Sequence, residues 1–245
     1  TDHGAQFSRG KTSSYEGGLR IPLIVRCLDI GLAGHVREEL MTQVDILPTV
    51  TEILGIDCPE GLAGDSFVSL LKGEDIEWRT HLFAEWTSGS VVTYFPQRSV
   101  RDHRYKLIAN LLQDRPSPSA LGYRAENRKW TPGATSEEIA EADEQIQSAY
   151  ALYEKPPEFE LYDLQNDPWE FTNLSGGRAY AAVLQGLKNR LATWQTETGD
   201  ALRHPENLER LTQKHDAIFD GYYRESIMGS SREYEWEYAN YMYER

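Results

Sequence analysis

The first apolar run of the chain, Ile21 to Cys27, follows a polar, glycine-rich stretch and reads as a short buried strand. Asp45-Ile46-Leu47-Pro48-Thr49 reads as a helix start, with Asp45 as N-cap and Pro48 tolerated in the first turn. Ile46, Leu47, Val50, Ile53 and Leu54 recur at helical spacing and are expected to form its buried stripe, with Gly55 closing the helix. Residues 57–79 are rich in turn formers (Pro59, Gly61, Gly64, Gly73) around a short apolar stretch, Phe67 to Leu71. A domain boundary is expected near Arg79.

Beyond it come strand-like runs, His81 to Trp86, Arg98 to Arg101 and Tyr105 to Asn110, with Asp102-His103-Arg104 as the hairpin turn between the last two. Residues 113–134 carry Pro116, Pro118, Pro132 and Gly133 and read as an irregular insertion. Thr135-Ser136-Glu137-Glu138 is a capping box that opens a polar helix to about Tyr153. Phe159 to Leu164 reads as another strand. Tyr180, Val183, Leu184, Leu187, Leu191 and Trp194 then mark a helix from about Arg178 to Thr196, with Gly199 just past its end. That stripe reads as core packing against the small sheet. From Leu202 the chain is polar and passes through Glu233-Tyr234-Glu235-Trp236-Glu237-Tyr238, which fits a docked tail, a subunit contact or disorder equally well. No internal repeat is present.

Composition narrows the function. A length of 245 residues suits one large domain or two smaller ones, and 40% hydrophobic with 11% aromatic residues suffices for a packed core. The net charge of −14 argues against nucleic acid as the main partner, because phosphate neutralisation needs surplus Lys and Arg. It leaves room for an anionic substrate in a local basic pocket. Cys27 and Cys58 allow at most one disulfide and no cysteine-rich zinc framework. Leu23-Ile24-Val25 is far too short for a membrane span. The opening Thr1-Asp2-His3-Gly4, with no initiating Met or signal pattern, is expected to lie inside a longer protein.

Two candidates for chemistry lie in the glycine-rich stretch, where Gly4, Gly10, Gly17 and Gly18 permit close backbone approach or positive φ. Asp2 and His3 put a carboxylate beside an imidazole, a pairing suited to a metal. Alone, the pair reads more readily as a turn Asp with an exposed His. Lys11 follows Gly10 and precedes Thr12-Ser13-Ser14, a setting for binding an oxyanion. A phosphate-binding P-loop is excluded, because Ala5 stands where that motif needs Gly.

Together, Thr1-Asp2-His3-Gly4, Gly10-Lys11 and Tyr15-Glu16-Gly17-Gly18-Leu19-Arg20-Ile21-Pro22 with the apolar run after it resemble the type I sulfatases. Asp45 to Thr49 resembles the family's next helix. Arg98-Ser99-Val100-Arg101-Asp102-His103-Arg104-Tyr105-Lys106-Leu107-Ile108 resembles its C-terminal hairpin, and Glu160 to Glu170 with Asn173-Leu174 resembles its closing strand and turn. The resemblance spans about residues 1–200.

The resemblance implies an α/β fold. Residues 1–79 would be the C-terminal portion of an alkaline phosphatase-like catalytic domain. Residues 80–200 would be a smaller α+β domain with an antiparallel sheet and packed helix, and 201–245 a Tyr-rich tail. It implies hydrolysis of sulfate esters or sulfamates with calcium and a formylglycine. By position Asp2 and His3 would be metal ligands, at the end of a strand of the main sheet and facing the same cavity as Lys11. Lys11 would hold a sulfate oxygen as a catalytic residue, and His81, Glu85 and Arg98 would bind substrate or form a structural polar network. Glu16 and Arg20, which bracket the Gly17-Gly18 turn, read as structural. Neither Cys27 nor Cys58 stands in the family's Cys/Ser-x-Pro/Ala-x-Arg motif, so the formylglycine is expected outside this chain, and the chain alone is expected to be inactive.

Thr93 to Val100 and the segment Leu191 to Thr198 point toward heparan N-sulfatases, hence a sulfated carbohydrate of the heparin type. His3 and Lys11 depart from that likeness, since a sulfamidase of this kind has Asn and Arg at those places. A phosphonate or phosphate ester hydrolase of the same superfamily, and a non-catalytic interaction module with the tail as its contact surface, are the alternatives. The resemblance implies a periplasmic, extracellular or lysosomal setting, with an oligomer or tail-mediated contact allowed.

Overall fold

A computed structural model describes residues 2–27, 30, 34–113, 115–124, 133–227, 236 and 238. In chain order its elements are α1 (Glu16–Leu19), α2 (Ile46–Leu54), α3 (Val68–Leu71), β1 (Leu82–Trp86), β2 (Gln97–Arg101), β3 (Tyr105–Asn110), α4 (Pro118–Gly122), α5 (Ser136–Glu141), α6 (Glu144–Glu154), β4 (Phe159–Asp163), α7 (Ala181–Glu197) and α8 (Pro205–Ile227). Two compact units emerge. One holds Asp2 and Ile21–Leu82, the other His3–Arg20 and the residues from Phe83 onward.

The first unit is organised around a buried carboxylate. Asp45 is wholly buried and accepts hydrogen bonds from the backbone N–H groups of Thr42 at 2.8 Å and Asp65 at 3.0 Å. The Arg79 guanidinium closes on both its oxygens and reaches on to Asp65 at 2.6 Å. Asp45 therefore ties the entry of α2 to two distant loops instead of capping α2 through its side chain. Leu40, Phe67, Val68 and Leu70 are the buried apolar residues beside this knot.

Two sequence expectations fail in this unit. The run Ile21 to Cys27 is not a strand, and Ile24 is 90% exposed. A strand needs hydrogen-bonding neighbours, and no described segment pairs with this one. Helix α2 forms where expected and ends at Gly55 with φ 65°, but its faces are reversed. Pro48, Thr49 and Thr51 are buried, while Ile46, Leu47, Val50 and Leu54 are exposed. The threonines turn inward because their hydroxyls have partners there. Thr49 Oγ1 donates to the Asp45 carbonyl at 2.6 Å and accepts from the Phe67 N–H at 3.1 Å. Asp2 and His3 likewise lie on no strand.

The second unit is built on an antiparallel sheet of order β1-β2-β3-β4. Its register sets Arg98 opposite Ala109, Val100 opposite Leu107, Leu107 opposite Leu161 and Ile108 opposite Glu160. The β2–β3 turn is the expected one, with Asp102 Oδ1 accepting from the N–H groups of Arg104 at 2.7 Å and Tyr105 at 2.6 Å. Alternate residues point to opposite faces. Val100, Leu107, Ala109 and Leu161 pack beneath Leu187 and Leu191 of α7, as the helical stripe predicts. Ile108 and Tyr162 face the other way, against Tyr15, Ala120 and Tyr153. Both faces are therefore covered, which is why these strands read as nearly continuous buried runs.

The predicted polar helix from Thr135 is two helices. Its capping box is present, but Ala142 leaves the helical region with ψ 169°, and Asp143 caps α6 afresh by accepting from the Ile146 N–H at 3.0 Å. The chain after Leu202 is helical over α8, with Leu211 wholly buried beside Tyr94, Phe95 and Leu202. Trp236 packs on this cluster and its Nε1 donates to Ser88 Oγ at 2.8 Å.

Arg98, wholly buried on β2, is locked to Asp200 just past α7 by two parallel bonds of 2.8 and 2.9 Å. Gln195 and the Leu202 N–H also donate to Asp200. Burial pushes the Asp200 carboxyl up, but the bonds and charge of Arg98 outweigh it, and its pKa lies below the usual carboxylate range.

Two stability predictions follow from this packing. In urea unfolding of the chain, Leu161→Ala should cost about 2–5 kcal/mol by cavity formation, whereas Leu54→Ala should cost no more than about 0.5 kcal/mol because that side chain is already in water. Equal costs would contradict the reversed faces of α2. A lowered folded-state pKa gives stability that is present above the unfolded carboxyl range and lost as pH falls through the folded value. Asp200→Asn should therefore destabilise by about 3 kcal/mol at neutral pH, leaving Arg98 buried without its counter-charge, and the gap to wild type should close below about pH 4. Chemical unfolding at a series of pH values would measure both.

Candidate functional site

Residues 3–20 form a loop folded tightly on itself. The Ala5 carbonyl accepts from the Lys11 N–H at 2.9 Å, the Phe7 carbonyl from Gly10 at 2.9 Å, and the Gly18 carbonyl from Gly4 at 2.9 Å. The glycines serve close approach of the loop to its own backbone. A Cβ on Gly4 would stand 1.9 Å from the Gly17 carbonyl oxygen, and one on Gly10 would stand 2.3 Å from that of Ala5. Positive φ falls instead on two residues with side chains, Arg9 at 62° and Thr12 at 70°. They bracket Gly10 and Lys11.

The loop lies on the sheet face opposite α7, and that face is polar. Tyr15 and Tyr162 both donate their hydroxyls to Glu160 Oε2, at 2.6 and 2.5 Å, and Asn110 donates to Glu160 Oε1 at 2.8 Å. Glu16 meets Lys106 at 3.0 Å and Arg101 at 2.5 Å. Lys106 also meets Glu170 at 3.1 Å, and Glu170 Oε2 accepts the Glu16 N–H at 2.6 Å. Burial raises the Glu16 pKa, but Lys106 and Arg101 outweigh it and the net shift is downward. Glu170, with burial as the largest influence and only Lys106 and Arg9 as cations opposing it, shifts upward. Arg9 stacks 3.9 Å over the Tyr15 ring and donates to the carbonyls of Ala149 at 3.3 Å, Trp169 at 3.3 Å and Glu170.

The six residues singled out from the sequence are distributed unevenly. Lys11 is half-buried on the arch between Arg9 and Thr12. His3 is half-buried, and its Nδ1 lies 2.6 Å from the Gly4 carbonyl. A carbonyl oxygen only accepts, so Nδ1 is the donor in that contact. Asp2 is exposed and belongs to the first unit, as does His81, whose Nδ1 lies 2.9 Å from Thr80 Oγ1. Glu85 is exposed and lies 3.4 Å from Arg98, so the structure brings these two together. Every nitrogen of the Arg98 guanidinium is bonded inside the chain: to Asp200, to the Trp86 and Gln97 carbonyls and to Thr87.

Among the described residues no group of three or more His, Cys, Asp or Glu side chains could hold a metal ion. Calcium takes six to eight oxygens by the usual range, so Asp2 and His3 do not by themselves make a calcium cage. Cys27 and Cys58 are both free thiols. Arg9, Thr12, Lys106, Glu170 and Asp200 escaped the sequence reading. Only Lys106 carried a visible signal, a charged residue alternating with apolar ones inside a strand.

Residues 6–115 match the family model described as N-sulphoglucosamine sulphohydrolase, C-terminal. This span includes Lys11, His81, Glu85 and Arg98. An ulvan-active sulfatase of Formosa agariphila is 30% identical over 203 residues, 82% of this chain and 37% of the relative. The human N-sulphoglucosamine sulphohydrolase is 27% identical over 215 residues, 82% of this chain and 41% of the relative. A multifunctional alkaline phosphatase superfamily protein of Trinickia caryophylli is 30% identical over 208 residues, 82% of this chain and 34% of the relative. The chain thus spans well under half the length of these relatives. A solved structure of a protein in complex with its substrate D-glucosamine-2-N,6-O-disulfate shares the fold, with TM-score 0.52 and 21% identity over 76% of this chain and 30% of that one. The strand–hairpin–strand sheet, the packed α7 and the Lys11 loop inside the matched span agree with these likenesses: the chain carries a C-terminal region of the sulfatase family.

Proposed function

We propose that the whole protein to which this region belongs hydrolyses sulfate esters or sulfamates on sulfated sugars, with Lys11 as the residue of this chain that meets the sulfuryl group. The observation that carries the reading is the placement of Lys11. It lies, half-buried, on a loop whose backbone is bonded to itself, inside the stretch matched by the N-sulphoglucosamine sulphohydrolase model. A sulfuryl group in transfer gathers charge on its non-bridging oxygens, and a fixed ammonium stabilises that charge without reorganising. Sulfated sugars of the heparan type are the proposed substrates, and the human relative's name points to N-sulphated glucosamine.

Calcium and a formylglycine enter this reading only through the family resemblance. Asp2 and His3 are proposed as two donors of a calcium site, a carboxylate oxygen and an imidazole nitrogen, which further ligands would complete. His81 and Glu85 are proposed substrate contacts. Arg98 is proposed to act by fixing the strand beside Glu85, since its own donors are engaged.

A phosphonate or phosphate ester hydrolase of the same superfamily is the second reading, compatible with the 30% identity to a Trinickia caryophylli protein described as a multifunctional member of the alkaline phosphatase superfamily. Assaying the full-length protein on N-sulfated glucosamine, a 6-O-sulfated sugar, an aryl sulfate and an aryl phosphonate monoester separates the two. Higher kcat/KM on the sulfated compounds is expected, and a preference for the phosphonate would replace the first reading with the second.

Lys11→Ala should lower kcat and kcat/KM together by on the order of a hundredfold, about 3 kcal/mol, because the lost contact is strongest where charge accumulates. Lys11→Arg should keep part of the rate, since charge persists in a broader fork. Near-wild-type turnover of Lys11→Ala with the fold intact would return Lys11 to a solvated loop residue.

A further inference from the structure

We propose that Arg9, Thr12 and Glu170 are positioning residues that aim the Lys11 ammonium, an inference that rests on the role given to Lys11 above. Among the described residues, the non-glycine positions with positive φ are Arg9 at 62°, Thr12 at 70° and Glu170 at 57°. All three belong to one structure, the arch over Lys11 and its anchor. A left-handed backbone is costly for any residue with a Cβ and most costly for a β-branched one such as Thr. Glycine would relieve that cost at each position. The side chains present instead use the strained backbone to make bonds.

On the N-terminal side of Lys11, the Arg9 fork grips the carbonyls of Ala149, Trp169 and Glu170, more than a hundred positions along the chain. On the C-terminal side, Thr12 Oγ1 donates to the Lys11 carbonyl at 2.5 Å and lies 2.9 Å from Ser119 Oγ. Glu170, itself strained, holds the Glu16 N–H at 2.6 Å and Lys106 at 3.1 Å, and so ties the same anchor to the far end of the loop. Between the two pinned ends the Lys11 N–H bonds to the Ala5 carbonyl at 2.9 Å. The backbone from which the ammonium projects is thus fixed on three sides. An arch needed only to reverse the chain direction requires no such pinning.

A double-mutant cycle in the full-length protein tests this. Arg9→Lys keeps the charge and loses the fork. Thr12→Gly relieves the backbone and frees it, so this variant remains informative if Arg9→Lys fails to fold. Each should lower kcat on a sulfated sugar by about tenfold to a hundredfold with KM nearly unchanged, as expected when a reacting group is misplaced by about an ångström. In a Lys11→Ala background neither should lower kcat further, because there is no ammonium left to aim. Equal losses in both backgrounds, or no loss from either variant, would overturn the positioning role while leaving that of Lys11 intact. A Lys11→Ala protein with unchanged kcat would remove the proposed function, and the positioning role with it.

Discussion

Burying several ionised side chains in one layer is tolerable only when each is matched, because an unpaired buried charge costs far more than a matched pair returns. The polar face of the four-stranded sheet is under that constraint. Arg9, Lys106 and the half-buried Arg101 are set among Glu16, Glu160 and Glu170, and each has a hydrogen-bond or ion partner. The layer has to be closed by something that completes the set, and residues 9–16 do so by bringing Arg9, Tyr15 and Glu16. A shift of β3 by one residue would turn Lys106 and Asn110 toward α7 and leave both sides of the layer unmatched. The apolar face under α7 holds the sheet together, while the charged face fixes what lies on it and in what register.

The first unit shows the same preference for a polar centre over an apolar one. Asp45 gathers Thr42, Asp65 and Arg79, and the inward threonines of α2 add to the knot. Ile46, Leu47, Val50 and Leu54 face outward instead, and Leu23, Ile24 and Val25 are exposed as well.

The sequence was legible where local pattern and tertiary setting agree. All four strands, the Asp102 turn, the Thr135 capping box and α7 lie within a few residues of where periodicity and turn chemistry put them, because each is fixed by its own residues or its immediate neighbours. Legibility failed where a distant partner decided the outcome. The helical stripe on α2 was real, yet the hydroxyl of Thr49 and the loop at Phe67 chose which face turned inward. The Ala142 break escaped because Asp143 caps as well as Thr135 does and the pattern did not weigh two starts so close together. Helix α8 was missed although Leu208, Leu211 and His215 carry its spacing. Lys11 and His3 were singled out by motif. Arg9, Thr12 and Glu170 were not, since nothing in a residue's name announces a left-handed backbone, and Asp200 lies too far along the chain from Arg98 to be matched to it.

The separation in sequence between the loop and its supports has a kinetic meaning. Tyr15 finds Glu160, Glu16 finds Lys106, and Arg9 finds Glu170, each across a large fraction of the chain. Contacts of that range bring their loop-closure entropy before they return any stabilisation, so they form late. The β2–β3 hairpin can assemble from its own turn, and β4 and α7 can dock on it, while residues 3–20 still wander. Residues 3–20 are made before their supports and are put in place after them. The arch around Lys11 is complete only once the segments that carry Ser119, Ala149 and Glu170 have reached it.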